Sequence, residues 1–138
     1  MGAPESKIEM IFDKCREGCR EQGKDPDGFR FMLQLHLSWA PTDEEALENA
    51  MTEWPNGGMK FPKQDIRSPQ DFEQMAKLVR PEDFEGRMLI SADTEQHRAQ
   101  IQKFLDMGFD QIYLHNVGRN QAEWIEVFGR DVLPKLVA

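Results

Sequence analysis

Gln111-Ile112-Tyr113-Leu114-His115-Asn116-Val117-Gly118-Arg119-Asn120-Gln121-Ala122-Glu123-Trp124 reads as a buried strand, a polar loop and the first turn of a helix. Ile112, Tyr113, Leu114 and Val117 form a short apolar run that His115 and Asn116 interrupt near its C-terminal end. Asn120 to Glu123 has the composition of a helix-start box, with Asn120 as its N-cap. In parallel α/β proteins, polar groups at the C-terminal ends of strands are where sites are built.

Working outward, the segment before this stretch repeats the same logic. Arg87 to Ala92 is a short buried strand. Asp93 caps a helix that carries Ile101, Phe104 and Leu105 inward and stops at Gly108. Further upstream, Phe29, Phe31, Leu33, Leu35 and Leu37 alternate with Arg30, Met32, Gln34, His36 and Ser38, the clearest strand pattern in the chain. Thr42-Asp43-Glu44-Glu45 then starts a helix that Pro55 stops. Asn56 to Ser68 is an irregular excursion, and Ser68-Pro69 opens a helix through Phe72, Met75, Ala76 and Val79 that Pro81 ends. At the start of the chain, Ile8, Ile11, Phe12, Cys15 and Cys19 mark one face of a helix over residues 5–22, with Gly23 as its stop. The last helix is expected to bury Trp124, Ile125, Phe128 and Leu133.

The order is therefore one helix followed by three strand-to-helix units, suited to parallel strands. Three strands leave a physical problem, because a parallel sheet needs both faces covered and its edges managed. A complete barrel of this kind takes about 250 residues, whereas this chain has 138. The pattern is that of the last part of a barrel, a single partial domain over residues 1–138.

Bulk properties exclude several classes. A net charge of -8 and a pI near 4.9 argue against nucleic acid or an anionic membrane as partner. The most basic segment, Lys60 to Arg67, is diluted by Asp65 and reads as solvated loop. No apolar run reaches the roughly 20 residues of a membrane helix, and no signal peptide opens the chain, so a cytoplasmic protein is expected. Met1 to Ser6 matches an acylation pattern by chance only. Cys15 and Cys19 are expected to be buried as small hydrophobes, with neither a disulfide nor a zinc site.

Taken together, Leu37-Ser38-Trp39-Ala40-Pro41-Thr42, Val79-Arg80-Pro81-Glu82-Asp83, Ser91-Ala92-Asp93 and Tyr113 to Gln121 resemble the C-terminal part of the bacterial-luciferase-like oxidoreductases. The branch is the one related to the coenzyme F420-dependent glucose-6-phosphate dehydrogenases, and within it a subgroup that uses an ordinary flavin. The resemblance implies an α/β fold, the C-terminal part of a (β/α)8 TIM barrel, with strands six, seven and eight and flanking helices. It implies FMN or coenzyme F420 as cofactor, a small-molecule substrate, and a start at Met1 that is internal to the barrel. The family's catalytic histidine, tryptophan and glutamate belong to the preceding part, so no position here inherits those roles and the chain alone is expected to lack catalysis. Sugar-phosphate-using relatives carry cations where this chain has Gly86, Ala122 and Glu123, so glucose 6-phosphate is not expected as substrate.

Five residues are candidates for contact with substrate or cofactor. His115 stands at a strand end, able to donate to a ligand oxygen or transfer a proton; bonding to nearby backbone is its structural alternative. Asn116 can orient a ligand. Arg119 precedes a helix N-terminus and is the best anion contact, or else a solvated loop arginine. His36 faces the barrel interior with Gln34, as a site liner or a satisfied pair. Trp39 walls a pocket or simply packs. Ser91 and Asp93 lack a base to activate the serine, and His97 reads as surface. A second hypothesis is a non-catalytic α/β module that completes its sheet as a homo-oligomer or with a separately encoded N-terminal half of the barrel.

Overall fold

The alternation around Leu33, Leu35 and Leu37 folds as the middle strand of a three-stranded parallel sheet, β1 at Met32–Ser38. The computed structural model describes residues 5–60 and 66–137, which leaves the start of the acylation-like pattern and the middle of the Asn56 to Ser68 excursion outside the described residues. In chain order the elements are α1 (Glu5–Glu21), β1, α2 (Asp43–Glu53), α3 (Pro69–Ala76), β2 (Leu89–Ile90), α4 (Thr94–Asp106), β3 (Gln111–Asn116) and α5 (Gln121–Asp131). Short 3-10 turns at Pro55–Gly57, Pro81–Phe84 and Leu133–Lys135 join or end them.

The sheet order is β2-β1-β3. β1 and β3 run in register from Met32↔Gln111 to Leu37↔Asn116, whereas β2 meets only the end of β1, at Leu37↔Leu89 and Ser38↔Ile90. β1 and β3 are hydrogen-bonded neighbours, and β2 is a short fragment paired on the other edge of β1, not lying between them. Competing bonds explain why β2 is so short. Before it, the amides of Arg87 and Met88 turn back to the Phe84 carbonyl at 2.9 and 3.3 Å. After it, the Ala92 amide leaves the ladder for Asp43 Oδ1 at 2.6 Å.

β1 also begins later than its alternation suggests. Phe29 is exposed, and the Phe31 amide is held by the Asp110 carboxylate at 2.7 Å before strand pairing starts at Met32.

One face of the sheet is backed by helices. Leu35, Leu37 and Trp39 pack with Ile101 and Phe104 of α4 and with Phe128 and Val132 at the end of α5. A second cluster, Ala50, Met59, Val79, Phe84, Met88 and Val117, fills the space beside α2. Helix starts follow their sequence signals: Thr42 accepts from the Glu45 amide, Ser68 from Asp71 and Asp93 from Glu95. α4 ends where Gly108 takes φ +95°, a left-handed conformation that side chains disfavour.

Three expectations about apolar positions change. On α1 only Phe12 is buried, stacked on Phe31 at 3.8 Å and edge-on to Phe109 at 4.9 Å; Ile11 is exposed, and Cys15 and Cys19 are half-buried free thiols. Ile125 is 62% exposed, because α5 turns Trp124 and Phe128, four residues apart, onto the sheet and leaves 125 a third of a turn away. Leu133 lies in the terminal 3-10 turn and is exposed as well. α3 closes at Ala76, and Val79 enters the core from the loop beyond it.

Leu37 has no exposed surface, so Leu37→Ala is expected to lower the urea-unfolding free energy by about 2–5 kcal/mol. Leu133→Ala is expected to change it by less than about 0.5 kcal/mol.

Candidate functional site

At the carboxyl ends of the strands α2 lies over the second face of the sheet, where Ser38 Oγ donates to the Ala46 carbonyl at 2.6 Å and Ala50 packs with Val117, whereas the other end of that face is open. Strand alternation sends Met32, Gln34 and His36 from β1 and Gln111, Tyr113 and His115 from β3 to this side, and the register sets each pair opposite its partner. Met32 is 59% and Tyr113 58% exposed, so large side chains stand open there. Toward the C-terminal ends of the strands the face becomes more enclosed. His36 and His115, direct neighbours in the ladder, are half-buried and joined Nδ1 to Nδ1 at 2.8 Å.

Trp54 closes this end. Pro55 stops α2 and begins a 3-10 turn, which leaves Trp54 as the residue between the two elements. Its ring lies 4.9 Å from each imidazole, 31° from the plane of His36 and 77° from that of His115. Gly57 lets it settle, since a Cβ at that position would come within 3.0 Å of the indole. Burial pushes His36 below the usual histidine range, with the neighbouring charge of His115 acting in the same direction. The cluster is therefore two imidazoles sharing a hydrogen bond against an indole.

Beside it, Asn116 ties the two long strands together. It is buried; its Oδ1 accepts from the Trp39 amide at 2.8 Å and its Nδ2 donates to Asn120 Oδ1 at 3.1 Å. Asn120 Nδ2 in turn donates to the Trp39 carbonyl at 3.1 Å, and Gln121 Nε2 donates to the Asn116 carbonyl at 2.7 Å. Asn120 is the N-cap residue of α5, its carbonyl accepting from the Trp124 amide at 3.0 Å, but its side chain makes no capping bond and instead bridges the β3 loop to the end of β1. Gly118 is required here, because a Cβ would meet Asn120 Oδ1 at 2.5 Å and Asn49 Nδ2 at 2.7 Å.

The other candidates lie apart from the histidines. Trp39 is in the helix-backed core, its Nε1 donating to the Ala92 carbonyl at 3.0 Å and its ring meeting Phe128. Arg119 is at the surface and engaged by Glu53, Nε to Oε1 at 2.6 Å. Ser91 Oγ donates to Asp43 Oδ1 at 3.3 Å and accepts from the Asp93 amide at 3.1 Å, a turn-stabilising arrangement. Among the described residues no group of three or more His, Cys, Asp or Glu side chains could hold a metal ion.

His97 departs most from its sequence reading. It is fully buried, with Nε2 donating to the Ser91 carbonyl at 2.8 Å, its ring beside Phe128 and its Nδ1 without a partner. The signal was present: His97, Ile101 and Phe104 follow the spacing of one helix face. Trp54 was missed for a different reason, since a tryptophan before a helix-stopping proline has no periodicity to place it.

A parallel sheet backed by helices is the architecture of barrel-type α/β domains, in which sites are built at the carboxyl ends of the strands. Residues 1–111 match the family model described as luciferase-like monooxygenase, and the chain belongs to that family. It is similar to the F420-dependent glucose-6-phosphate dehydrogenases of Nocardia farcinica, 29% identical over 135 residues, and of Mycolicibacterium gilvum, 28% identical over 128. The matches cover 95% and 93% of this chain but 40% and 38% of those proteins, so the chain spans about two fifths of the length of these relatives. Among solved structures, an F420-dependent secondary alcohol dehydrogenase in complex with an F420-acetone adduct superposes with a TM-score of 0.70 at 24% identity, covering 88% of this chain and 37% of that one. That likeness establishes the fold: part of a larger barrel.

Two outcomes follow from the buried groups. Removing Asn116 as Asn116→Ala leaves the Trp39 amide without its acceptor and is expected to cost about 1–3 kcal/mol in chemical denaturation. Burial holds His97 below its ordinary value of 6.5, so the unfolded chain takes up a proton first as pH falls. Its contribution is intact above the unfolded value and is lost as pH drops from there toward the folded one. His97→Gln keeps a donor for Ser91 and cannot be protonated, so the fall in urea midpoint between about pH 7 and about pH 5 should be shallower in this variant. His36, shifted in the same direction, adds to the pH dependence that remains.

Proposed function

We propose that this chain forms one wall of the ligand pocket of a flavin- or coenzyme F420-dependent oxidoreductase, with the face of β1 and β3 that carries His36 and His115 turned toward substrate and cofactor. The observation that carries this reading is the His36-His115-Trp54 cluster at the carboxyl ends of two adjacent parallel strands, within a family whose similar members are named for F420.

The residues present suit the ring end of such a cofactor, or the reacting end of its substrate, better than a phosphate. Two imidazoles and an indole offer neutral donors, acceptors and an apolar face to a planar heterocycle. Arg119, the cation nearest the start of α5, is engaged by Glu53, and Glu123 lies in the first turn of that helix. Phosphate contacts would then come from elsewhere in the barrel, and an uncharged substrate fits this wall better than a sugar phosphate. F420 is the first choice of cofactor, from the named relatives, with FMN as the alternative. When bound, either ring exchanges two electrons with the substrate as hydride. The protein's part is to orient ligand oxygens through His36 and His115, to shield them with Trp54, and to hold both strands in place through Asn116. In this reading Arg119 and Trp39 support the wall from outside it.

The exposed Met32 and Tyr113 favour a second element of the proposal. Their face is covered by the remaining staves of a barrel, supplied by a preceding segment or separate polypeptide, or by a second copy of the chain. A cytoplasmic site of action belongs to the same reading; among the described residues no helix is long and apolar enough to cross a membrane.

Titration of the purified chain with F420 or FMN should quench Trp54 fluorescence without substrate turnover, and Trp54→Phe should remove most of the quenching. Turnover by the 138-residue chain alone, or quenching undiminished in Trp54→Phe, would overturn the pocket-wall assignment. Light scattering across a concentration series should show association, which Met32→Lys with Tyr113→Lys weakens.

A further inference from the structure

We propose that His36 and His115 work as one proton-transfer unit, taking a proton from a pocket ligand at Nε2 of one ring and releasing another from Nε2 of its partner. This rests on the pocket-wall reading for the identity of the proton donor, but the unit itself is argued from geometry within the chain.

A single Nδ1-to-Nδ1 hydrogen bond requires one ring to be protonated at Nδ1 and the other to present a lone pair there. In the neutral pair the donor ring then has an unprotonated Nε2, and the acceptor ring carries its proton on Nε2. When a proton arrives at the open Nε2 of the first ring, its Nδ1 proton crosses 2.8 Å to the second ring, whose Nε2 proton departs to water. One N–H bond forms and one breaks at each ring, so both end neutral with their tautomers exchanged. Where the arriving proton came from a ligand hydroxyl, a bound flavin or deazaflavin would supply the two-electron acceptor for the hydride of the same carbon.

The surroundings separate this pair from an ordinary structural histidine. A histidine held for packing has one nitrogen fixed by a backbone carbonyl or carboxylate, which selects its tautomer; His97 is held that way by the Ser91 carbonyl. No described residue bonds Nε2 of His36 or His115, and neither nitrogen is a buried orphan. Among the described residues nothing fixes the shared proton to either ring. The rings themselves are fixed, because His36↔His115 is a ladder pair within an in-register parallel strand pair. Trp54 lies 4.9 Å from each ring and only 31° from the plane of His36, so its π-face lies near that imidazole when it is transiently charged. The nearest fixed charges in sequence, Glu53 before Trp54 and Arg119 after β3, neutralise each other, and of the described groups only His115 acts on the charge of His36.

The test uses nitrogen NMR of the histidine rings in the full chain, with His36→Asn and His115→Asn as variants. Asparagine places an amide near the Nδ1 position, so it can keep a hydrogen bond while being unable to relay a proton. In the unsubstituted chain both Nδ1 signals should lie between the protonated and unprotonated extremes, averaged by exchange, and in either variant the remaining histidine should move to one extreme. Nδ1 signals already at opposite extremes, or both rings protonated only at Nε2, would overturn the proposal. In an assembled oxidoreductase each variant should lower kcat by about 10²-fold with little change in KM, and the double variant should lose no more than either single one. Losses that multiply would contradict a single unit. Averaged nitrogens in a chain that neither cofactor quenches would uphold the proton-sharing pair and remove the pocket reading; static nitrogens with normal quenching would do the reverse.

Discussion

The in-register pairing of β1 with β3 is the constraint on which the remaining structure depends. Residues 32 and 111 are far apart in sequence, yet the ladder that starts at Met32↔Gln111 runs without a bulge to Leu37↔Asn116. Because side chains alternate with a period of two, this one register sends every leucine of β1 toward α4 and α5 and sets His36 against His115. A slip by one residue would turn the leucines to the opposite face and break the imidazole pair together. Asn116 holds the register at its far end by accepting from the Trp39 amide, and its burial makes that bond costly to lose.

Much of the fold was legible because it rests on local chemistry. Thr42, Ser68 and Asp93 cap helices for the reason their side chains suggest, and Gly23 and Gly108 take positive φ where helices end. The strand cores were visible in the alternation of β1 and the apolar run of β3. What could not be read was pairing. The Arg87 to Ala92 segment has the composition of a full strand, but the Phe84 carbonyl and the Asp43 carboxylate claim its flanking amides, and both competitors are distant or orthogonal to any periodic signal. Sheet order followed from that, since a strand reduced to two residues cannot stand between β1 and β3.

The site was legible in its parts and not in its assembly. His36 and His115 were each visible as polar residues near strand ends, while their meeting depended on the register. Asn120 had the right type and position for a capping side-chain bond, but the two strand ends offered its amide better partners in Asn116 and the Trp39 carbonyl. His97 shows the converse: polarity suggested the surface, whereas helical spacing with Ile101 and Phe104 placed it in the core. Family resemblance added the barrel and its cofactor class, and the two-fifths coverage of the relatives agrees with the count of strands that the sequence could supply.

The brevity of β2 has a consequence for how a larger sheet would grow. On that edge β1 is occupied only at Leu37 and Ser38, so its main-chain donors and acceptors from Met32 to His36 face no strand among the described residues. Any chain that extends the sheet there must run alongside this vacancy, about 17 Å long at the usual rise per residue, and must stop or swerve before β2. The edge thus offers a further strand only a limited length, unlike a long flat edge open along its whole run.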